Sequence, residues 1–486
     1  LVMWMLPRLG GGGLSLLVIL VVGVAIRVHR PGREAAMRRL LSKEAVIPLG
    51  FFLLSAVTLF AWRQLSQAAD VAIAGGSVAG LIVLLLLTMV PPALVMWMLP
   101  RLGGGGLSLL VILVVGVAIR VPFLDRDPLL SDDLHRYLWD GQLQVEGINP
   151  YRYAPIDVDI EGLPESLATA LERLNHPEVV TVYPPLLEEC FSLAALASFG
   201  AKEWRIFILA VEALLVLMLI RLLEKRDLDP RRIVLYLWHP LAVVENAWSG
   251  HAEGIAVLLF LWALTLFDEE RPVSAAFAVG AAIAAKLLPL GLLPLLWRRG
   301  KLACLLLTAA VVLWCFFPYR HVDIGEATAG LGEYAGSWYF NDLLYRPLGT
   351  LFGIDAENRH DSGALLLRGA LLLAWVVVCI ATMKKEPLVA GLAITTAFVL
   401  LTPTLHPWYL LWVLPLTVVV RAPALWLLSG TVLISYEVID RWRGVGEWVE
   451  HPLTRALVFT APLLWLAAAA LQSLRDRRQK DGTPSR

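Results

Sequence analysis

Long apolar runs separated by short polar connections make up most of this chain. Crossing about 30 Å of hydrocarbon takes about 20 apolar residues, and fourteen stretches approach that length. They are residues 46–64, 74–98, 104–121, 183–199, 203–223, 233–249, 252–267, 273–297, 302–318, 364–383, 387–403, 407–420, 424–439 and 455–474. These runs do not alternate apolar with polar residues as a barrel strand would. The pattern predicts an all-α, polytopic integral membrane protein with about 12–14 transmembrane helices.

Composition supports this class and excludes others. Of the 486 residues 58% are hydrophobic, and the 41 basic side chains balance the 41 acidic ones. That balance offers no basic footprint for nucleic acid. The four cysteines, at positions 190, 304, 315 and 379, stand in apolar stretches and form neither a disulfide framework nor a zinc spacing.

An internal duplication bears on the domain boundaries. Residues 1–28 recur at 94–121 without one difference. Natural repeats diverge, so the identical copy indicates that residues 1–36 are extraneous, with a natural start at Met37. We expect one transmembrane domain over 37–474, followed by a cytoplasmic basic tail over 475–486.

Lysine and arginine predict the orientation, because basic residues concentrate on the cytoplasmic side. The basic positions within 38–43, 298–301, 384–385 and 475–480 place these segments inside. Segment 122–182 then lies outside. One connection disagrees: simple alternation puts 224–232 outside although it holds four basic residues. Either the rule fails there, or 183–199 or 203–223 does not cross and 273–297 is two pieces broken around Lys286 and Pro289. The side that His251 faces depends on this choice.

The exterior segment 122–182 concentrates charge in Ser131-Asp132-Asp133-Leu134-His135-Arg136-Tyr137-Leu138-Trp139-Asp140-Gly141. Ser131 is a favourable N-cap, and acids suit the positive end of a helix. We therefore predict a surface helix from 132 to about 146 that ends before Gly147, and a second helix at about 161–174. Helical spacing puts Asp133, Tyr137 and Asp140 on one face. One acid is enough for capping, so the pair indicates that one of the two is functional.

Several motifs, in this order and membrane context, resemble those of the GT-C glycosyltransferases that use lipid phosphosugars. They are similar above all to bacterial polyprenol-phosphate-mannose-dependent mannosyltransferases and their GT87-like relatives. The motifs are Asp132-Asp133-Leu134-His135-Arg136-Tyr137 with Gly147-Ile148-Asn149-Pro150-Tyr151, Asn175-His176-Pro177-Glu178 with Tyr183-Pro184-Pro185, His239-Pro240 with Ser249-Gly250-His251, Lys286-Leu287-Leu288-Pro289, and Leu405-His406-Pro407-Trp408-Tyr409. His239-Pro240 departs from the Asn-Pro that the resemblance leads us to expect.

The resemblance implies a large multi-helix membrane domain whose first exterior loop holds the catalytic aspartate. By position that residue is Asp133, with Asp132 close behind. It further implies that a hexose, with mannose favoured, passes from a polyprenyl-phosphate donor to an exterior glycan or lipid acceptor with inversion. The location would be the inner membrane of a prokaryote, with the active site on the exterior face.

This chemistry suits the residue types. A carboxylate can take the proton of an acceptor hydroxyl as that hydroxyl attacks the anomeric carbon. The departing lipid phosphate needs nearby cations, and aromatic rings can stack on sugars. The candidates for the donor phosphate and sugar are Arg136, His135, Tyr137, Lys286, His406, Arg320, His251, Trp408 and Tyr409, with Arg152, His321 and Arg346 as further cations. For residues at span ends, anchoring at the membrane interface is the competing interpretation.

Two other classes compete with the transferase. A transporter or flippase of lipid-linked sugars would also place charges inside helices, but its polar groups should lie at the midplane. A membrane scaffold would not need the clustered Asp-Asp-His-Arg-Tyr. We expect no required cofactor and no dedicated metal cage, although the Asp132-Asp133 pair leaves a divalent ion as an alternative.

Overall fold

The computed structural model describes residues 43–103, 105–159, 161, 164, 167, 170–358 and 361–481. The segment 1–36 that was predicted to be extraneous lies outside the described residues, as do six of the fourteen residues of the second helix predicted at 161–174. Within the described part the secondary structure is helical apart from one isolated bridge between Phe340 and Thr404. The predicted all-α membrane class is confirmed.

Seventeen α-helices of eight or more residues occur in the described part of the chain. In chain order they are α1 Lys43–Ile73, α2 Ala79–Leu87, α3 Val90–Met98, α4 Gly105–Ala118, α5 Asp133–Val145, α6 Pro185–Leu196, α7 Ala201–Lys225, α8 Glu253–Asp268, α9 Pro272–Ala285, α10 Leu293–Cys315, α11 Ile324–Ser337, α12 Tyr345–Phe352, α13 Ser362–Thr382, α14 Pro387–Leu401, α15 Pro423–Thr431, α16 Val438–Val445 and α17 Pro452–Asp481. Proline begins α6, α9 and α14, where its fixed φ is helical and its missing N–H costs nothing.

Six spans in the described residues are long and apolar enough to cross a membrane. They are Val46–Ile73, Ala79–Arg101, Gly105–Phe123, Ala201–Lys225, Ser362–Thr382 and Pro452–Gln472. The other predicted spans are shorter or broken, which the count of 12–14 did not anticipate. Residues 230–248 combine a 3₁₀ turn, two short helical turns and a π-helix, and 407–419 begin with a 3₁₀ segment. A hydropathy profile shows where apolar residues are frequent. It does not show where proline or a buried polar group interrupts a helix.

Basic residues gather at one end of the bundle, which we call the Lys225 end. Lys225 Nζ lies 3.1 Å from an Asp268 oxygen, and Arg226 Nη2 lies 2.5 Å from Glu386 Oε1. Arg299 donates to the Phe267 carbonyl. This end comprises residues 101–103, 225–232, 268–272, 298–300 and 383–386.

The opposite end, called the Asp133 end, contains the long connections. Tyr319 donates to Gln144 at 2.7 Å, and Ser77 donates to Asp440 at 2.5 Å. The Asn341 backbone N–H donates to Glu450. This end comprises residues 73–78, 124–159, 249–252, 319–358, 402–406 and 437–451.

The positions of the two ends show that 183–199 does not cross the bundle and that 273–297 is two pieces. Helix α6 has 12 residues, about 18 Å, which is too short to cross. Span 273–297 breaks at Lys286, where the backbone is extended, and the chain returns to the Lys225 end by Arg298. The connection 224–232 therefore shares an end with the other basic connections. His251 lies at the end that holds Asp133.

A buried polar network joins three spans. Arg120 makes two hydrogen bonds of 2.7 Å with the Glu212 carboxylate, one from Nε and one from Nη2. Asn246 donates to the same carboxylate at 2.9 Å. Pairing of this kind lets charged groups occupy an apolar interior that would exclude them singly.

Candidate functional site

Asp133 is the first residue of α5, one position later than the sequence predicted. Its backbone N–H lies 3.3 Å from Ser131 Oγ, which accepts it. Asp132 takes the N-cap position, but its side chain makes no capping hydrogen bond. The Asp133 carboxylate is therefore at the positive end of the helix dipole, and its side chain is one fifth exposed.

Tyr183 contacts both Asp133 and Lys286. The Tyr183 hydroxyl donates to Asp133 Oδ2 at 3.4 Å, and Lys286 Nζ lies 5.0 Å from the centre of the Tyr183 ring. Tyr183 belongs to the Tyr-Pro-Pro sequence that leads into α6. A candidate base and a candidate cation thus contact one aromatic side chain.

Lys286 terminates α9 and forms an ion pair with Glu253. The distance from Lys286 Nζ to Glu253 Oε1 is 2.7 Å. Glu253 is the first residue of α8 and is almost fully buried, whereas the Lys286 side chain is 22% exposed. Part of the Lys286 side chain is therefore accessible, while its ammonium pairs with a buried carboxylate.

His251 lies between two carboxylates. Its Nδ1 is 2.9 Å from Glu245 Oε2, and its Nε2 is 3.8 Å from Asp133 Oδ2. Nε2 is also 3.1 Å from Ser131 Oγ. The imidazole is fully buried.

Trp408 extends this cluster as a stack of rings. Its ring centre lies 4.3 Å from that of His251 and 4.3 Å from that of His406. Phe340 continues the stack beyond His406. Burial lowers the pKa of His406 to about 3, so its ring is neutral at physiological pH and can offer a hydrogen bond but no charge. Tyr409 hydrogen-bonds through its hydroxyl to Tyr334.

Arg136 pairs with a second acid of α5, and the Tyr137 ring packs edge-on against Tyr183 with ring centres 5.3 Å apart. Arg136 Nε lies 2.9 Å from Asp140 Oδ1, and Nη1 donates to the Val179 carbonyl. Burial raises the pKa of the Asp140 carboxyl although the Arg136 guanidinium opposes this. The Tyr137 ring is buried and stacks on Phe191. Asp133 and Asp140, predicted to share a face, therefore have separate partners.

The remaining predicted cations have partners of their own. Burial lowers the pKa of His135, which makes it a weak source of positive charge. Arg320 lies over the Phe317 ring, Arg152 donates to the His321 carbonyl, and Arg346 pairs with Asp342 and Glu450. None of these contacts reaches Asp133.

Sequence reasoning undervalued two acids and missed one tyrosine. As ionisable residues within apolar runs, Glu245 and Glu253 are candidates for function as much as for buried structural pairs, and their positions six residues before and two residues after His251 were a further signal. Tyr436 gave no signal, yet its hydroxyl donates to Glu245 Oε1 at 2.8 Å. Among the described residues, no group of three or more His, Cys, Asp or Glu side chains is placed to hold a metal ion.

Comparison with known proteins bears on this site. Residues 55–298, about half of the chain, match the family model described as alpha-(1->6)-mannopyranosyltransferase, N-terminal domain. That range includes Asp133, Tyr183, Glu245, His251 and Lys286. The chain is also 26% identical over 379 residues to alpha-(1->6)-mannopyranosyltransferase A of Mycobacterium tuberculosis (strain ATCC 25618 / H37Rv), covering 70% of this chain and 72% of that protein. No solved structure matches.

Proposed function

The chain belongs to the alpha-(1->6)-mannopyranosyltransferase family, and from this premise we propose that it transfers mannose from a polyprenyl-phosphate donor to the 6-hydroxyl of an exterior mannoside, with Asp133 as the general base. The observation that carries the proposal is that Asp133 and Lys286 both contact Tyr183, one at its hydroxyl and the other over its ring. A glycosyl transfer from a phosphate needs a base for the acceptor and a cation for the leaving group, and this pair supplies both.

In the proposed reaction the acceptor oxygen attacks C1 of the mannosyl group while its proton passes to Asp133. The bond between C1 and the phosphate oxygen breaks, and both of its electrons leave with the lipid phosphate. An α product formed in one displacement requires a donor of β configuration, since the anomeric centre inverts. No second carboxylate is required as nucleophile.

Lys286 would stabilise the phosphate that leaves. Its side chain is partly exposed and its ammonium pairs with one carboxylate, so we expect a phosphate oxygen to replace Glu253 as its partner. The Trp408 ring already stacks on His251 and His406, so a sugar would meet its partly exposed edge and the partly exposed Tyr409 ring. The long lipid of the donor explains why this chemistry is performed by a membrane protein.

The test compares the two adjacent aspartates in purified protein. Asp133→Asn should lower mannose transfer from polyprenyl-phosphate mannose to an α-mannoside acceptor by about 10²- to 10⁴-fold, the usual contribution of a general base. Asp132→Asn should retain activity within about tenfold. Transfer of labelled mannose is measured on fractions shown to be folded by size-exclusion chromatography and thermal unfolding.

Two outcomes would contradict the proposal. Full activity of Asp133→Asn would exclude it as the base. Transfer from a nucleotide sugar, with none from the polyprenyl-phosphate donor, would exclude the donor class.

A further inference from the structure

Glu245 is a buried acid that the proposed reaction does not use. It lies on the π-helix Val243–Trp248 and is fully buried. Tyr436 donates to one of its oxygens at 2.8 Å, and His251 Nδ1 is 2.9 Å from the other. A buried carboxylate is costly unless it is paired. His251 is the group that lies close enough to pair with it.

The orientation of the His251 ring is fixed from three directions. It follows Gly250, whose φ of +66° is accessible to glycine with little strain and sets the turn into the ring's position. Glu245 faces Nδ1, and the Trp408 ring stacks on the imidazole face. A carboxylate 2.9 Å from Nδ1 favours a proton on that nitrogen, and Nε2 is left to face Ser131 and Asp133.

The surroundings favour a charged imidazolium. Asp133 and Glu245 face the ring from α5 and the π-helix, and Glu253 faces it from α8. The charged or titratable groups nearby on other elements are Lys286, His406 and Tyr436. An imidazolium would donate from Nε2 to Ser131 Oγ, whose oxygen also accepts the Asp133 backbone N–H.

We propose that Glu245 is a positioning residue that acts through His251: it fixes the imidazolium whose Nε2 orients Ser131 and the Asp133 carboxylate for proton transfer. This inference rests on the function proposed above. It assigns Glu245 no contact with substrate, and it gives His251 a role toward the base in place of a role as phosphate ligand.

The central variant is Glu245→Gln, which keeps the shape of the side chain and removes its charge. We expect kcat per folded protein to fall about 10- to 100-fold, the range seen for residues that orient a reactive group, with the donor KM changed by no more than about threefold. His251→Gln should lose a similar factor. The double variant should be no slower than His251→Gln, because the two residues act as one unit.

Glu212→Gln is the matched control. Glu212 is also a buried glutamate, bound to Arg120 and Asn246, and it has no described contact with His251 or Asp133. We expect this variant to unfold at a lower temperature while kcat per folded protein stays within about twofold of wild type.

Tyr436→Phe provides a second variant if Glu245→Gln does not fold. It removes one hydrogen bond to Glu245 and leaves the charge in place, so we expect a smaller fall in kcat of about threefold to tenfold.

The inference is overturned if Glu245→Gln, or Tyr436→Phe where Glu245→Gln does not fold, keeps wild-type kcat. Independent losses that multiply in the double variant would overturn it as well. These results differ from failure of the proposed function, which would show as an active Asp133→Asn. An inactive Asp133→Asn together with a fully active Glu245→Gln would remove only the role of Glu245.

Discussion

Asp132 and Asp133 are neighbours in sequence with different surroundings. Burial, and after it the charge of Asp133, raises the pKa of Asp132 to about 6. Asp133 instead has Tyr183 as a hydrogen-bond donor and His251 close by. At physiological pH the negative charge on Asp132 therefore lowers the stability of the folded protein.

The pH dependence of stability tests this difference. A folded-state pKa above the unfolded value means that the folded protein binds the Asp132 proton more tightly. Ionisation of Asp132 thus reduces stability as pH rises from about 4 to about 6. At pH 8, Asp132→Asn should raise the free energy of unfolding by at most about 3 kcal/mol and so raise the thermal midpoint. At pH 4 it should change the midpoint little.

Thermal unfolding of wild type and variant across that pH range is the measurement. A difference in midpoint that does not change with pH would contradict the raised pKa.

At this scale the sequence singled out Asp133, His251, Lys286 and Trp408, and the structure places them together. It could not separate them from Arg320 or His135, which share the same end of the molecule. The sequence indicates the end of the bundle at which a residue lies. The distance between two residues at that end depends on how segments remote in sequence pack together. Tyr436 illustrates the limit, because it lies 191 residues from the Glu245 that it contacts.

Helix α5 keeps its position through close contact with α6. A Cβ added at Gly141 would lie 2.2 Å from the Phe191 carbonyl oxygen, so any side chain there forces the two helices apart. Since α5 begins at Asp133 and α6 follows Tyr183, this separation would widen the site itself.

Gly141→Ala should therefore reduce both stability and mannose transfer. Overpacking of this kind costs about 1–3 kcal/mol, which lowers the thermal midpoint. Gly369→Ala on α13 is the control, because nothing lies within 4 Å of its added Cβ and alanine favours a helix. Equal behaviour of the two variants in unfolding and activity assays would contradict the packing argument.

Elements were predictable to different degrees. The helix predicted from 132 to about 146 is present as Asp133–Val145, because capping acids and the following Gly-Ile-Asn-Pro act locally. The lengths of α6 and of the pieces around Lys286 were not predictable from hydropathy alone. Their polar residues are tolerated inside the bundle because tertiary partners pair with them, as Glu253 does with Lys286.

The whole molecule separates its basic end from its candidate site. All the contacts described for Lys225, Arg226, Arg298 and Arg299 lie at one end, and Asp133 lies at the other. Together with the preference of basic residues for the cytoplasmic side, this arrangement predicts an exterior site.

Labelling of single cysteines tests the orientation, in a protein whose four native cysteines are replaced by alanine. A membrane-impermeant maleimide should label Ile324→Cys, at the Asp133 end, in intact cells. It should label Lys385→Cys, at the Lys225 end, only after permeabilisation. Both positions are exposed, so the reverse pattern would show that the site faces the cytoplasm.

The network of Arg120, Glu212 and Asn246 has a consequence for how the chain is made. Its members leave the ribosome in order, with Glu212 following Arg120 by 92 residues and Asn246 following Glu212 by another 34. During that interval the span that ends at Phe123 carries an arginine without its native carboxylate, and such a residue opposes insertion. We therefore expect stable integration of this early span to wait until the later ones arrive, with membrane assembly in groups of helices and not one helix at a time.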